Sequence, residues 1–258
     1  MKFEQWQSAC APGAFRFFSL GRHALAEALR AAGINAGDKI LLPDFICRDV
    51  LASLAAVGAQ VVWYPVGEDL RPASAVETWP EASAVVAVNY FGFPQPLEPF
   101  CAYAARTGAV LIEDNAHGFL SRDGAGRWLG TRGNAGIFSL RKILPLADGA
   151  ALVVHDPRIA RALAEPIIPA GRGYAPRSIW KSKLRKMPAG IAAANVLTSL
   201  TRLARRLRSG HAIPPPDETA ERSIPHPPAA HSSLMANLAS LDVRDEIERR
   251  RKIGRAHV

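Results

Sequence analysis

A three-layer α/β/α fold built on a mainly parallel sheet is what this sequence predicts. Three observations carry it. Helix and strand signals alternate through roughly the first 155 residues of a 258-residue chain. The strand signals are short, almost wholly apolar runs, as expected where helices cover both faces of a sheet. Hydrophobic content of 48% and charged content of 21% are those of an ordinary globular protein with room for one large domain and a fragment of another.

The elements follow in order. "GRHALAEALRAAGI" (Gly21 to Ile34) places apolar residues at helical spacing and stops before "NAGDK". "KILLP" reads as a buried strand, "CRDVLASLAAVGA" as a helix closed by Gly58, and "QVVWYPV" as a strand. "ASAVVAVNYFG" gives the next strand through Val85, Val86 and Val88, and turns at Pro94 and Pro96. "LEPFCAYAARTG" is a helix and "AVLIED" a strand; "GNAGIFSL" and "GAALVVHD" close the series. Past about Glu165 the character changes. A basic helical stretch, "GIAAANVLTSLTRLARRL", runs into "HAIPPPDETAERSIPHPPAA", where prolines forbid regular structure, and "SSLMANLASLDVRDEIERRRK" is a last helical piece.

Charge and cysteine content narrow the function classes. The net charge is +9, yet ten Lys/Arg residues and no acid lie between Arg172 and Arg208, so the remainder is nearly neutral. That segment suits an anionic partner, such as a phosphate-bearing ligand, a membrane surface or RNA, or is a solvated amphipathic insertion. Tyr174 and Trp180 stand alone, without the aromatic interleaving of base stacking, and no nucleic-acid partner is expected. Cys10, Cys47 and Cys101 form neither a disulfide framework nor a metal spacing. The N-terminus is a poor signal peptide, and no run approaches the roughly 18 apolar residues of a membrane span. Cytoplasmic localisation is the expectation.

Three pieces bear chemistry. Gly21 opens a helix whose free N–H groups suit a phosphate. "VLIEDNAHG" sets Asp114 at the carboxyl end of a strand, where ligands collect in parallel sheets, with Asn89 and Tyr90 at a neighbouring strand end. In "GIFSLRKILPLADGA", Ser139 and Lys142 follow a short apolar strand. Blander readings stand beside these. Asp114 could cap a helix over "DNAHG", and His117 could be a satisfied, half-buried histidine. Lys142 could be a surface lysine, although "IFSL" and "ILPL" are poor neighbours for a solvated charge. Cys47, with no base in view, reads as a small apolar residue.

The ordered set "GRHAL", "GDKILLPDF", "VNYFGFP", "VLIEDNAHG" and "FSLRKILPLADGA", spanning Ser19 to Val154, resembles the DegT/StrS family of sugar aminotransferases. The resemblance implies the large domain of a fold-type-I enzyme dependent on pyridoxal 5′-phosphate. It implies that Asp114 faces the pyridine nitrogen and that Lys142 is the Schiff-base lysine. Ser139 would bind the phosphate with Gly21 and Arg22, and His117 would lie beside the phenolic oxygen. The implied reaction passes an amino group from an amino acid, glutamate as the expected donor, to a keto sugar carried on a nucleotide, in a homodimer. Lys142 argues against the relatives that deoxygenate sugars with a histidine in its place; a non-catalytic homologue or fragment that binds a ligand or partner is the alternative.

Departures from the family pattern are specific. Ser139 and Lys142 are three positions apart, closer than is usual, and Cys47 stands where many relatives place a ring-stacking aromatic, leaving Phe45 or His117 to cover the ring. The expected organisation is a cofactor-binding domain over 1–165, a basic and Pro-rich insertion over 166–230, and the start of a largely missing C-terminal domain over 231–252. Residues 253–258, "IGRAHV", translate a common sequencing-adapter string and are expected to be foreign to the natural chain.

Overall fold

Strand β4 (Ala84–Val88, AVVAV) is buried at every position, because it lies inside a seven-stranded sheet covered on both faces. The computed structural model describes residues 2–10, 14–144, 146, 148–168, 190–209, 222–224 and 227–255. The strands are β1 (Ala14–Phe18), β2 (Lys39–Pro43), β3 (Gln60–Tyr64), β4, β5 (Val110–Asp114), β6 (Ala135–Phe138) and β7 (Ala150–Val154). Their order is β1-β7-β6-β5-β4-β2-β3. Strands β3, β2, β4, β5 and β6 run parallel, and β7 is antiparallel to both β6 and β1. The mainly parallel α/β sheet read from the sequence is therefore present.

Alternation along the strands sorts side chains to two faces. Ile40, Leu42, Ala84 and Val86 pack under α2 (Gly21–Ala31), with α3 (Leu51–Ala55) and α5 (Pro157–Ala162) on the same side. Leu41, Val85 and Leu111 face the opposite way, onto Phe100 and Tyr103 of α4 (Glu98–Thr107). Gly108 ends α4 in the left-handed region at φ 74°, where a side chain would be strained. Gly136 in β6 meets a different limit: a Cβ there would lie 2.0 Å from the Gly130 carbonyl oxygen.

Several boundaries differ from the sequence reading. The helix predicted over Gly21 to Ile34 stops at Ala31, and that over "CRDVLASLAAVGA" is a 3-10 turn, Arg48–Val50, followed by α3. Helix α1 (Phe3–Cys10) and strand β1 were not anticipated; aromatic residues in "AFRFF" on both parities hide the strand's alternation. The basic stretch contains α6 (Gly190–Ser209), whereas Arg172 to Lys186 and most of the Pro-rich stretch lie outside the described residues. The last helical piece is two helices, α7 (Ser233–Ala239) and α8 (Val243–Arg255). Asp242 divides them, its carboxylate accepting the N–H groups of Arg244 and Asp245.

The C-terminal part is stitched to the sheet. Leu234, Leu238 and Val243 share a cluster with Phe3, Trp6 and Phe138. Ser19, just before α2, donates its N–H to the Pro228 carbonyl at 2.8 Å and its hydroxyl to that of Pro227 at 2.6 Å. The buried Asp148 carboxylate accepts the His231 N–H through both oxygens, at 3.0 and 3.1 Å.

Beneath the strand ends lies a buried ion pair. Glu113 of β5 is fully buried and accepts from the Arg132 guanidinium at 2.7 Å. It also accepts the backbone N–H groups of Arg132, Gly130 and Gly133, and the Asn89 side-chain amide. Arg132 in turn donates to the Asn89 side-chain oxygen and the Gln95 carbonyl. Removing the cation would strand a buried carboxylate, so Arg132→Met should cost about 3–5 kcal/mol, and the double variant Glu113→Gln/Arg132→Met clearly less. Urea unfolding measures both; a single variant within about 1 kcal/mol of wild type would show the pair to be dispensable.

Candidate active site

The carboxyl ends of β4, β5 and β6 converge on one edge of the sheet, and the chain leaves each through a tight turn. Asp114 ends β5; Asn89, just past β4, donates its N–H to the Asp114 carbonyl at 2.9 Å. Ser139 follows β6 and leads into the 3-10 turn Leu140–Lys142. Two adjoining cavities open here and share Cys47, Asp114, Ala116 and Lys142. Gly21, Arg22 and Ser139 line the first; His117, Tyr90 and Phe45 line the second, of about 320 Å³. All six residues singled out in the sequence thus meet in one continuous depression.

Each end of the depression has its own chemistry. At the first, α2 begins after Leu20, whose extended backbone and apolar side chain supply no cap, so the helix presents first-turn N–H groups and the positive end of its dipole to an anion. Among the described residues, apart from its chain neighbours and its own helix, nothing lies within 4 Å of where a Gly21 Cβ would stand, so the approach is open. The Arg22 guanidinium adds a cation, held by the Asp49 carboxylate, while Ser53 donates its hydroxyl to the Arg22 carbonyl at 2.9 Å.

At the second end, Asp114 is buried, and one carboxylate oxygen accepts the Ala116 N–H at 2.9 Å. Burial pushes its carboxyl up from the ordinary value; the Ala116 N–H and the nearby Lys142 and His117 oppose that only in part. A cation placed against this carboxylate would relieve the cost of burying it. Lys142 Nζ lies 3.2 Å from His117 Nε2, and burial followed by the Lys142 charge pushes His117 down. The neutral imidazole can therefore accept from the ammonium. The Phe91 ring lies nearly parallel to the His117 ring, at 5° and 6.0 Å between centroids. Tyr90 donates its hydroxyl to the Phe45 carbonyl at 2.6 Å.

The bland readings fare unevenly. Asp114 caps a turn and no helix follows it, because residues 115–120 form tight turns. Lys142 is exposed despite its apolar neighbours in sequence: Leu140 takes the buried position and the 3-10 turn carries Lys142 to the cavity mouth. Cys47 is exposed and lines both cavities, whereas Cys10 is the buried thiol, pushed up to about 12 by burial. Asp49 and Phe91 escaped the sequence reading. Asp49 stands 27 positions from its partner, and Phe91 takes a positive φ of 54° that no residue pattern announces.

Residues 18–210 match the DegT/DnrJ/EryC1/StrS aminotransferase family. Among curated relatives, L-glutamine:2-deoxy-scyllo-inosose aminotransferase of Micromonospora echinospora is 34% identical over 168 residues, covering 61% of this chain and 39% of that protein. The chain spans about two fifths of the length of the curated relatives it matches. Among solved structures, the aminotransferase TlmJ from Streptoalloteichus hindustanus superposes with a TM-score of 0.52 at 29% identity, over 57% of this chain and 42% of that one. The E. coli GDP-4-keto-6-deoxy-D-mannose-3-dehydratase with bound hydrated PLP shares the fold at 19% identity and a TM-score of 0.52, over 61% of this chain and 43% of its own.

The Asp114 environment has a direct thermodynamic consequence. Its folded-state pKa lies above the unfolded one, so the stability it contributes is present at acidic pH and is lost as pH rises through that window. At pH 7 without cofactor, Asp114→Asn, which keeps the acceptor for Ala116, should be more stable than wild type by on the order of 1 kcal/mol. The gap should close below about pH 4. Urea unfolding at both pH values measures it, and an Asn variant less stable at neutral pH would show the carboxylate to be favourably solvated.

Proposed function

The chain belongs to the DegT/DnrJ/EryC1/StrS aminotransferase family, and on that premise we propose that it carries the cofactor site of an enzyme transferring an amino group to a keto sugar. The family depends on pyridoxal 5′-phosphate. The observation that carries the reading is the buried, under-compensated Asp114 carboxylate in one depression with Lys142 and an uncapped helix start. That donor set fits the group: a helix start with Arg22 and Ser139 would suit its phosphate, the buried Asp114 carboxylate its cationic ring nitrogen, and the Lys142 amine its carbonyl.

When bound, the pyridine ring supplies an electron sink for the electrons left as a substrate Cα proton departs. The chain's own residues do the rest. Asp114 would hold a proton on the ring nitrogen. The Lys142 amine would hold the carbonyl end of the group and serve as the base for the substrate Cα proton. His117 accepts from Lys142 and orients its amine. Gly21, Arg22 and Ser139 would bind the phosphate. The donor is glutamate, or L-glutamine as in the name of the curated relative, and the acceptor is a keto sugar carried on a nucleotide, in keeping with the TDP-sugar product named for DesI, a solved structure 25% identical to this chain. A homodimer is the working form.

One observation favours a second reading, a ligand-binding homologue without catalysis: Arg22 already has a counter-ion in Asp49. Absorbance titration of the purified chain with pyridoxal phosphate separates the two. The aminotransferase reading expects a protein-dependent visible band, and borohydride should then fix the pyridoxyl group on the peptide carrying Lys142. Lys142→Ala should abolish both. A folded chain with neither band nor adduct would leave the reading of a non-catalytic homologue in place.

A further inference from the structure

Helix α6 leaves an apolar stripe uncovered. Val196, Leu200, Leu203 and Leu207 recur at the spacing i, i+4, i+7, i+11, which is one side of a helix. They are 58, 57, 54 and 79% exposed, so none of the described residues takes them out of water. Exposed arginines accompany them: Arg202, Arg206 and Arg208 lie roughly 90–130° round the helix from the centre of the stripe. The helix carries no acid, and in the sequence none occurs between Glu165 and Asp217.

We propose that α6 docks on an anionic lipid bilayer surface, lying in the plane of the interface. The leucine stripe enters the headgroup–acyl boundary while the three arginines reach phosphate oxygens at headgroup level. A narrow apolar face flanked by cations, without acids, is the pattern that such helices share. Two other occupants fit less well. A second copy of the helix would set arginines against arginines with no carboxylate on either to neutralise them. A nucleic acid would satisfy the arginines and leave four large apolar side chains wet. Spanning is excluded for α6 by the same arginines, and among the described residues no helix is long and apolar enough to cross a membrane. The inference stands apart from the cofactor site, since none of these residues lines it.

Flotation of the full chain with phosphatidylcholine vesicles, with and without phosphatidylglycerol, tests the proposal. The chain should float with the anionic vesicles, less so as salt is raised. Leu200→Glu/Leu203→Glu should abolish flotation, while Arg202→Gln and Arg206→Gln should each weaken it about fivefold. Leu207→Ser, lowering binding about tenfold, keeps the test readable should the double variant misfold. No flotation of wild type would overturn the idea. So would flotation indifferent to the leucine changes, which would leave only charge, or a vesicle-free oligomer dissolved by those changes, which would assign the stripe to a second copy.

Discussion

A single buried carboxylate organises the edge of the sheet where the site forms. Glu113 collects three backbone N–H groups from residues 130–133, the Asn89 amide and the Arg132 guanidinium. It thereby ties the exits of β4 and β5 to the loop that leads into β6. A charge at this depth is tolerable only because every lone-pair direction is used. The geometry around it is fixed as a consequence, and Asn89, whose side chain belongs to the network, also lines the cavity.

Asp114, the next residue, experiences the opposite environment. Strand alternation turns it to the other face, where the Ala116 N–H and the Lys142 and His117 side chains oppose its burial only in part. Two adjacent acids therefore divide the work: one is satisfied within the protein and rigid, the other is left in want of a cation from outside. The same chain that fixes the scaffold at Glu113 withholds compensation one residue later, and a ligand can supply it.

Much of this could be read from the residues, and what could not has a common cause. Short apolar runs between helical repeats announce a parallel sheet, and the strand-end acid with Ser139 and Lys142 announces a site, because both are local patterns. Arg132 as the partner of Glu113 and Asp49 as that of Arg22 are pairings across 19 and 27 positions, decided by folding alone. Strand β1 escaped because its antiparallel place beside β7 comes from the sheet order rather than from its own alternation. The break at Asp242, where the carboxylate caps α8, went unread because the apolar spacing on either side runs through it as one helix. Lys142 shows the converse error: apolar neighbours along the chain do not bury a residue when a 3-10 turn rotates it outward.

The ties from Ser19 to Pro227 and Pro228, and from Asp148 to His231, join regions far apart in the chain around one helix start. Ser19 lies two residues before Gly21, and Asp148 six after Lys142, so both anchors flank residues that line the depression. Linkage works in both directions here. Any anion that makes the start of α2 more rigid steadies the grip on residues 227–231, and any strain that pulls that segment away loosens the anion by the same free energy. None of residues 227–231 lines the depression, so the C-terminal segment would act on an anion there only through the start of α2.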